Sequence, residues 1–209
     1  LQKPEYNVKN ILRKMNVKVV GTTDDPTDDL QYHKKIKDDN FEIKILPSYR
    51  PDKATEIEKG QAFIDWIKKL EQSVNFSITD FSKLIKALQV RHDFFHEMGC
   101  RISDHGHTTF YGENYNTSEV DAIFQNALKS KSPSDLEINK YKSAVLFELA
   151  SMNKAKSWAQ QFHVGAIRNN NAKMLQELGP DQGFDSLGDS VMADKMSKFF
   201  GKLSKNESL

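Results

Sequence analysis

Four polar clusters interrupt a chain that otherwise alternates apolar runs with solvated stretches. They are Thr22-Thr23-Asp24-Asp25, Ser48-Tyr49-Arg50-Pro51-Asp52, Ser103-Asp104-His105-Gly106-His107, and His163 followed by Arg168 and Asn169. Carboxylates such as Asp25 and Asp104 can pass protons or hold hydroxyls. Arg50 and Arg168 offer planar forks that suit a substrate carboxylate. His105-Gly106-His107 has the form of a His-x-His metal pair, and His163 is a lone imidazole inside an apolar run. Each has a plainer reading. Asp24 and Asp25 suit a turn or cap, Arg50 suits an ion pair with Asp52, and a histidine in a strand is often only a hydrogen-bonded core residue. Cys100 has no base beside it in sequence and reads as an inert buried thiol.

The elements around these clusters explain why all four matter. β-branched or apolar runs near residues 17–23, 42–47, 100–104 and 160–166 read as strands, and each ends in one of the clusters. Helical spacing lies between them: Val8, Ile11, Leu12 and Met15; a short helix capped by Asp28; Phe63, Ile67, Leu70 and Val74 behind a capping box at Thr55 and Glu58. Thr79 opens a helix carrying Phe81, Leu84, Leu88 and Phe95, which ends at Gly99. Two more run over about 118–130 and 134–158, and Asp189 caps a last helix to about Leu203. Residues 179–185 are a dense turn. Strands separated by helices predict an α/β chain with right-handed crossovers and a parallel sheet. A small doubly wound domain and part of a (β/α)₈ barrel both satisfy that pattern. In either, chemistry collects at the C-terminal ends of the strands. Along the last strand, alternation turns Phe162 and Val164 to the helices and His163 inward, within reach of Asp104.

Composition narrows the function. The 209 residues carry 30 Lys+Arg against 29 Asp+Glu, a formal net charge of +1, which is not the footprint of a nucleic-acid binder. The single Cys rules out a disulfide framework and points to a reducing compartment, the cytoplasm. No apolar run approaches the ~20 residues of a membrane span, and no leader of secretory type opens the chain. There is no Gly-x-Gly-x-x-Gly behind a strand and no Walker loop, so no nucleotide cofactor is expected. Nor is there a Gly-x-Ser-x-Gly elbow for a serine hydrolase.

Five runs, in order along the chain, resemble the uronate (glucuronate) isomerase family. They are MNVKVVGTTDDP at 15–26, LPSYRPDKA at 46–54, GCRISDH at 99–105, QFHVGAIRNNN at 161–171 and LGPDQGFDS at 178–186. The resemblance implies a distorted (β/α)₈ TIM barrel of the amidohydrolase superfamily. It also implies interconversion of D-glucuronate with D-fructuronate, or D-galacturonate with D-tagaturonate, by proton transfer through an enediolate. On this reading residues 1–209 are the central segment of one barrel domain, strands two to five with extra helices, inactive alone. The family's first-strand His-x-His would precede Leu1, and its eighth-strand Asp and neighbouring Arg would follow Leu209. His107 stands where relatives carry an apolar residue, so His105-Gly106-His107 is not expected to be that metal pair. Asp104 and, more weakly, Asp25 are the expected catalytic carboxylates, Arg50 and Arg168 the substrate arms, and His163 the metal-facing histidine. A divalent metal such as zinc in the full-length enzyme and homo-oligomerisation are left open. The partner is a small uronate, with no nucleic acid or membrane. Two rivals remain. A metal-dependent hydrolase of the same superfamily needs an activated water, and the Arg-Pro-Asp and Gly-Pro-Asp-x-Gly-Phe-Asp runs argue against it. The other is a non-catalytic sugar-acid binding module.

Overall fold

The computed structural model of the chain describes residues 3–205; the last four residues of the polar tail, 206–209, lie outside it, as do Leu1 and Gln2. Four parallel strands are laid down in chain order: β1 (Val19–Gly21), β2 (Lys44–Leu46), β3 (Ile102–His107) and β4 (Ala159–Val164). β1 pairs with β2, and β3 with β4 over six residues from Ile102↔Ala159 to His107↔Val164. One residue joins the two ladders. Tyr49 bridges to Asp24 on one side and to Ser103 on the other, both in parallel sense. Its N–H donates to the Ile102 carbonyl at 3.1 Å, and its own carbonyl accepts from the Asp104 N–H at 2.9 Å. The strands expected from the sequence are thus present and adjacent in order, each within a few residues of its expected place.

α1 (Val8–Lys14) precedes β1, and helices fill the crossovers: α2 (Gln31–Asp38), α3 (Asp52–Thr55), α4 (Gln61–Val74), α5 (Phe81–Glu97), α6 (Thr117–Leu128) and α7 (Asp135–Ala155). After β4 come a short antiparallel pair, β5 (Ala166–Ile167) with β6 (Ser186–Leu187), the helix α8 (Ala172–Leu178) between them, and α9 (Ala193–Lys205). Four boundaries differ from the sequence expectation. Thr55 caps nothing: its hydroxyl donates to the Asp52 carbonyl, and α4 starts behind Gly60, whose φ of +55 favours glycine. Asp80 rather than Thr79 caps α5, accepting from the Lys83 N–H. Asp28 binds the Leu30 N–H, but α2 begins only after Leu30, and α9 begins at Ala193, four residues past Asp189. Ser134 and Glu137, by contrast, form a complete capping box on α7.

The core lies between the strands and α4–α7. Leu70, Leu84, Leu88, Phe95, Phe124, Tyr141 and Val145 are fully buried there. The Tyr49 ring enters this core, donates its hydroxyl to the Leu88 carbonyl, and meets Phe95 edge-on at 5.0 Å. A second cluster of Phe110, Leu146, Phe199 and Leu203 packs Phe162 and Val164 of β4 against α7 and α9. A polar chain also runs through the interior. His92 bonds Asn153 (3.0 Å), Asn153 donates to Ser103 Oγ (2.7 Å), and Ser103 meets His105 Nε2 (2.9 Å). Burial is the main reason these imidazoles resist protonation: His92 is pushed down to about 4, His105 to about 3, and His107 likewise to about 4.

Two outcomes follow from this architecture. Ser134→Ala should lower unfolding stability by about 1 kcal/mol, read from the urea midpoint, because one end of the longest helix loses its cap. The three histidines should make the metal-free protein acid-sensitive. Below the ordinary histidine range near pH 6.5 the unfolded chain takes up protons that the folded chain refuses. Their contribution is therefore intact above about pH 6.5 and is lost as pH falls towards 4, at about 1.4 kcal/mol per pH unit for each group. His92→Phe should make the slope of stability against pH shallower by about one proton across that window; an unchanged slope would mean that His92 is not held neutral.

Candidate active site

β3 and β4 place the chemistry by alternation. Asp104 and Gly106 face one side of β3, and His163, level with Gly106 on β4, faces the same side. His163 Nδ1 lies 2.9 Å from Asp104 Oδ1. Arg50, one residue past the Tyr49 bridge, brings Nη2 to 3.1 Å from His163 Nε2 and Nε to 3.7 Å from Asp104 Oδ2. A guanidinium only donates, so Nε2 accepts and the ring proton of the neutral imidazole sits on Nδ1, towards Asp104. Gln161 from β4 donates a further bond to Asp104 Oδ1 at 3.0 Å. The expected inward orientation of His163 and its reach to Asp104 are both present.

Gly106 makes room for this grouping. A Cβ there would lie 2.4 Å from His163 Nε2 and 2.6 Å from Arg50 Nη2. Its N–H donates to both oxygens of Asp52, and Asp52 Oδ2 holds Arg50 Nε at 2.8 Å. Burial pushes the Asp52 carboxyl up, against the opposing pull of Arg50. The expected Arg50–Asp52 ion pair therefore exists, and it also aims the guanidinium into the site.

Arg50, Gly106 and His163 line a cleft of ≈ 480 Å³ together with Tyr111, Lys142 and Arg168. An adjoining cleft of ≈ 470 Å³ shares Arg50 and Arg168 and reaches Asp25 and Lys53. Arg168 stands at the rim, tied to Asp185 at 2.5 Å and half exposed. Asp25 is set apart from Asp104. Burial works against its charge, but bonds from the Thr27 N–H, the Trp66 indole and the Thr27 hydroxyl, with Lys53 at 3.1 Å, outweigh that and hold it below the usual carboxylate range.

Sequence reasoning missed Lys142 and Glu58. Lys142 lies within the long apolar stripe of α7, where periodicity reads only core, yet its Nζ meets Glu58 at 2.5 Å on the cleft wall. The strand expected at 100–104 also stops short of His105-Gly106-His107. They are the last residues of β3, and Asp52, His105 and His107 each offer a ligand atom such that all three lie within 4.8 Å of one another. At His163 a metal does not fit the present arrangement, because Nε2 faces the Arg50 guanidinium. Cys100 is buried as expected, its thiol pushed up to about 11 by desolvation. Among the described residues no helix is long and apolar enough to cross a membrane.

Comparison with known proteins gives the family and the fold. The chain is 47% identical over its full 209 residues to a uronate isomerase of Bacteroides thetaiotaomicron and 44% identical over 210 aligned residues to one of Cellvibrio japonicus, covering 45% of each. It thus spans about half the length of the curated relatives it matches. The crystal structure of uronate isomerase from Thermotoga maritima superposes with a TM-score of 0.90 at 28% identity, over 97% of this chain and 45% of that one. A glucuronate isomerase structure from Caulobacter crescentus, 22% identical, gives a TM-score of 0.89 over the whole chain and 43% of its own, which speaks for the fold alone. The glucuronate isomerase family model matches residues 1–209 from end to end, and the chain belongs to that family.

Proposed function

We propose that the full-length protein interconverts uronates and their keto forms, glucuronate with fructuronate or galacturonate with tagaturonate, and that residues 1–209 are barrel strands two to five carrying part of its active site. The observation that carries this reading is the meeting of Arg50, Asp104 and His163 at one mouth of the parallel strands. The reaction moves a proton between C2 and C1 through an enediolate. It needs a proton carrier, donors for the developing oxyanion and a cation for the substrate carboxylate. Asp104 and His163 form the proton-handling pair: Asp104 holds Nδ1–H and leaves the Nε2 lone pair towards the cleft, where Arg50 now caps it. Arg50 and Arg168, with Lys142 deeper in the wall, offer cations for a sugar acid, each now paired with a carboxylate of the protein that the substrate's own would replace. A uronate carboxylate would draw the Arg50 fork away from Nε2 and free that nitrogen to act. Asp25 acts at one remove, by holding Lys53 at the rim of the adjoining cleft. His163 serves better in this role than as a metal ligand, since ligation at Nε2 would require Arg50 to leave without a substrate to receive it. A hydrolase of the same superfamily is less well supported, because the family match over residues 1–209 is to isomerases.

Two substitutions in the full-length protein test this. Arg50→Lys keeps the charge but loses the fork, and kcat/KM for glucuronate and galacturonate should fall about 10²-fold, with KM raised. Gly106→Ala should lower kcat by a comparable factor of about 10², with little change in secondary structure by circular dichroism, because the added methyl must push His163 and Arg50 apart. Unaltered kinetics in both variants would return Arg50 to a purely structural ion pair and sink the assignment.

A further inference from the structure

β3 carries a second group of functional atoms on its other side. Ser103, His105 and His107 alternate with Asp104 and Gly106, and the two histidine rings stack with centroids 6.5 Å apart and planes 19° apart. His105 is fully buried and His107 is 8% exposed. Among the described residues each keeps one buried ring nitrogen with no hydrogen-bond partner, Nδ1 of His105 and Nε2 of His107. A polar atom buried without a partner costs about 1–3 kcal/mol. Two on neighbouring rings of one strand, with a carboxylate beside them, ask for a common partner.

We propose that Asp52, His105 and His107 form a binding site for a divalent transition-metal ion, adjoining the Arg50–Asp104–His163 grouping through the Asp52–Arg50 ion pair but using none of those three residues as a ligand, and independent of the isomerase reading. Two imidazoles and a carboxylate are a donor set of borderline softness, suited to zinc, cobalt or nickel rather than calcium or magnesium. The three ligand atoms lie within 4.8 Å of one another. Ligands about 2.1 Å from a tetrahedral ion stand about 3.4 Å apart, so closure asks for movements of about 1 Å. Asp52 and His107 border the cleft, which leaves a fourth position for water or a ligand oxygen.

The surroundings already resemble the outer shell of such a site. A histidine ligating through one nitrogen donates its other N–H to a fixed acceptor. His105 Nε2 faces Ser103 Oγ at 2.9 Å and the Gln160 side-chain amide at 3.2 Å. Ser103 is held in turn by Asn153 of α7. With Nδ1 on a metal, Nε2–H donates to Ser103, and a half-turn of the Gln160 amide presents its oxygen instead of its nitrogen. The nearby cations do not stand free to repel the ion: Arg50 is paired with Asp52 and Asp104, and Lys142 with Glu58.

The test is a titration of the chelator-stripped full-length protein with Co²⁺, following visible d–d absorption and the number of ions retained on equilibrium dialysis. His107→Leu should retain one ion fewer per chain than wild type, and His163→Asn should retain the wild-type number. Equal counts in wild type and His107→Leu overturn the proposal, as does loss of the ion in His163→Asn alone. A second measurement needs no variant. In the wild-type protein Co²⁺ should shift or broaden the ring proton resonances of His105 and His107 while leaving those of His33 sharp. Resonances of His105 and His107 that stay unmoved at millimolar Co²⁺ also overturn it.

Discussion

The site depends on one residue pair at a seam. Among the described residues Tyr49 is the single point where the β1–β2 ladder meets the β3–β4 ladder, and its backbone bonds to β3 fix the register of one half of the sheet against the other. Alternation then sends consecutive side chains to opposite sides. The Tyr49 ring goes into the helical core, where Leu88, His92, Phe95 and Trp158 enclose it. Arg50 is left on the side of Asp104 and His163. Truncating a fully buried aromatic ring costs about 3–5 kcal/mol, a large fraction of a domain's stability. That energy anchors Tyr49, and Arg50 takes its place as a consequence. Packing on one face of the segment thus sets chemistry on the other.

Charge within the site is balanced so that Arg50 has several partners and belongs to none of them alone. Asp52 takes Nε, His163 takes one Nη, and Asp104 stands just beyond direct bonding distance. The guanidinium is more than a quarter exposed, so these pairs add little to stability. Their effect is positional. An arginine shared among acceptors can exchange one of them for an incoming carboxylate at small cost, whereas one buried in a single bidentate pair cannot.

The strand order, the parallel sense and the inward turn of His163 were legible because each rests on a local rule: apolar runs, crossover lengths and period-two alternation. What escaped the sequence rests on long-range contact. Gly60 rather than Thr55 starts α4 because the segment first makes the short α3 and a 3₁₀ turn over Ile57–Lys59, which carries Glu58 towards Lys142. Periodicity has no means of marking Lys142, which sits in α7 among residues that are buried on every side. The strand expected at 100–104 ends three residues before β3 does, for a related reason. Asp104-His105-Gly106-His107 has the composition of a loop, and only pairing with β4 through Val164 shows that it is strand.

A strand of that composition in the middle of a parallel sheet runs against the apolar pattern such strands normally follow. The fold tolerates it by enclosing these polar side chains in specific contacts on both sides of the strand. Asp104 is held by His163 and Gln161, and Ser103 by Asn153 through a chain that reaches His92. His105 is enclosed by Phe162 and Ser103. The one position with no side chain, Gly106, is where the backbone itself must approach Asp52 while His163 and Arg50 close over it. Each departure from an apolar strand therefore corresponds to a particular contact, and His105 and His107, which keep Nδ1 and Nε2 without a partner among the described residues, each bring a ligand atom within 4.8 Å of one of Asp52. Polarity in a buried strand is costly to maintain unless its groups are paired, so its concentration in these five residues sets β3 apart from the apolar pattern of a buried parallel strand.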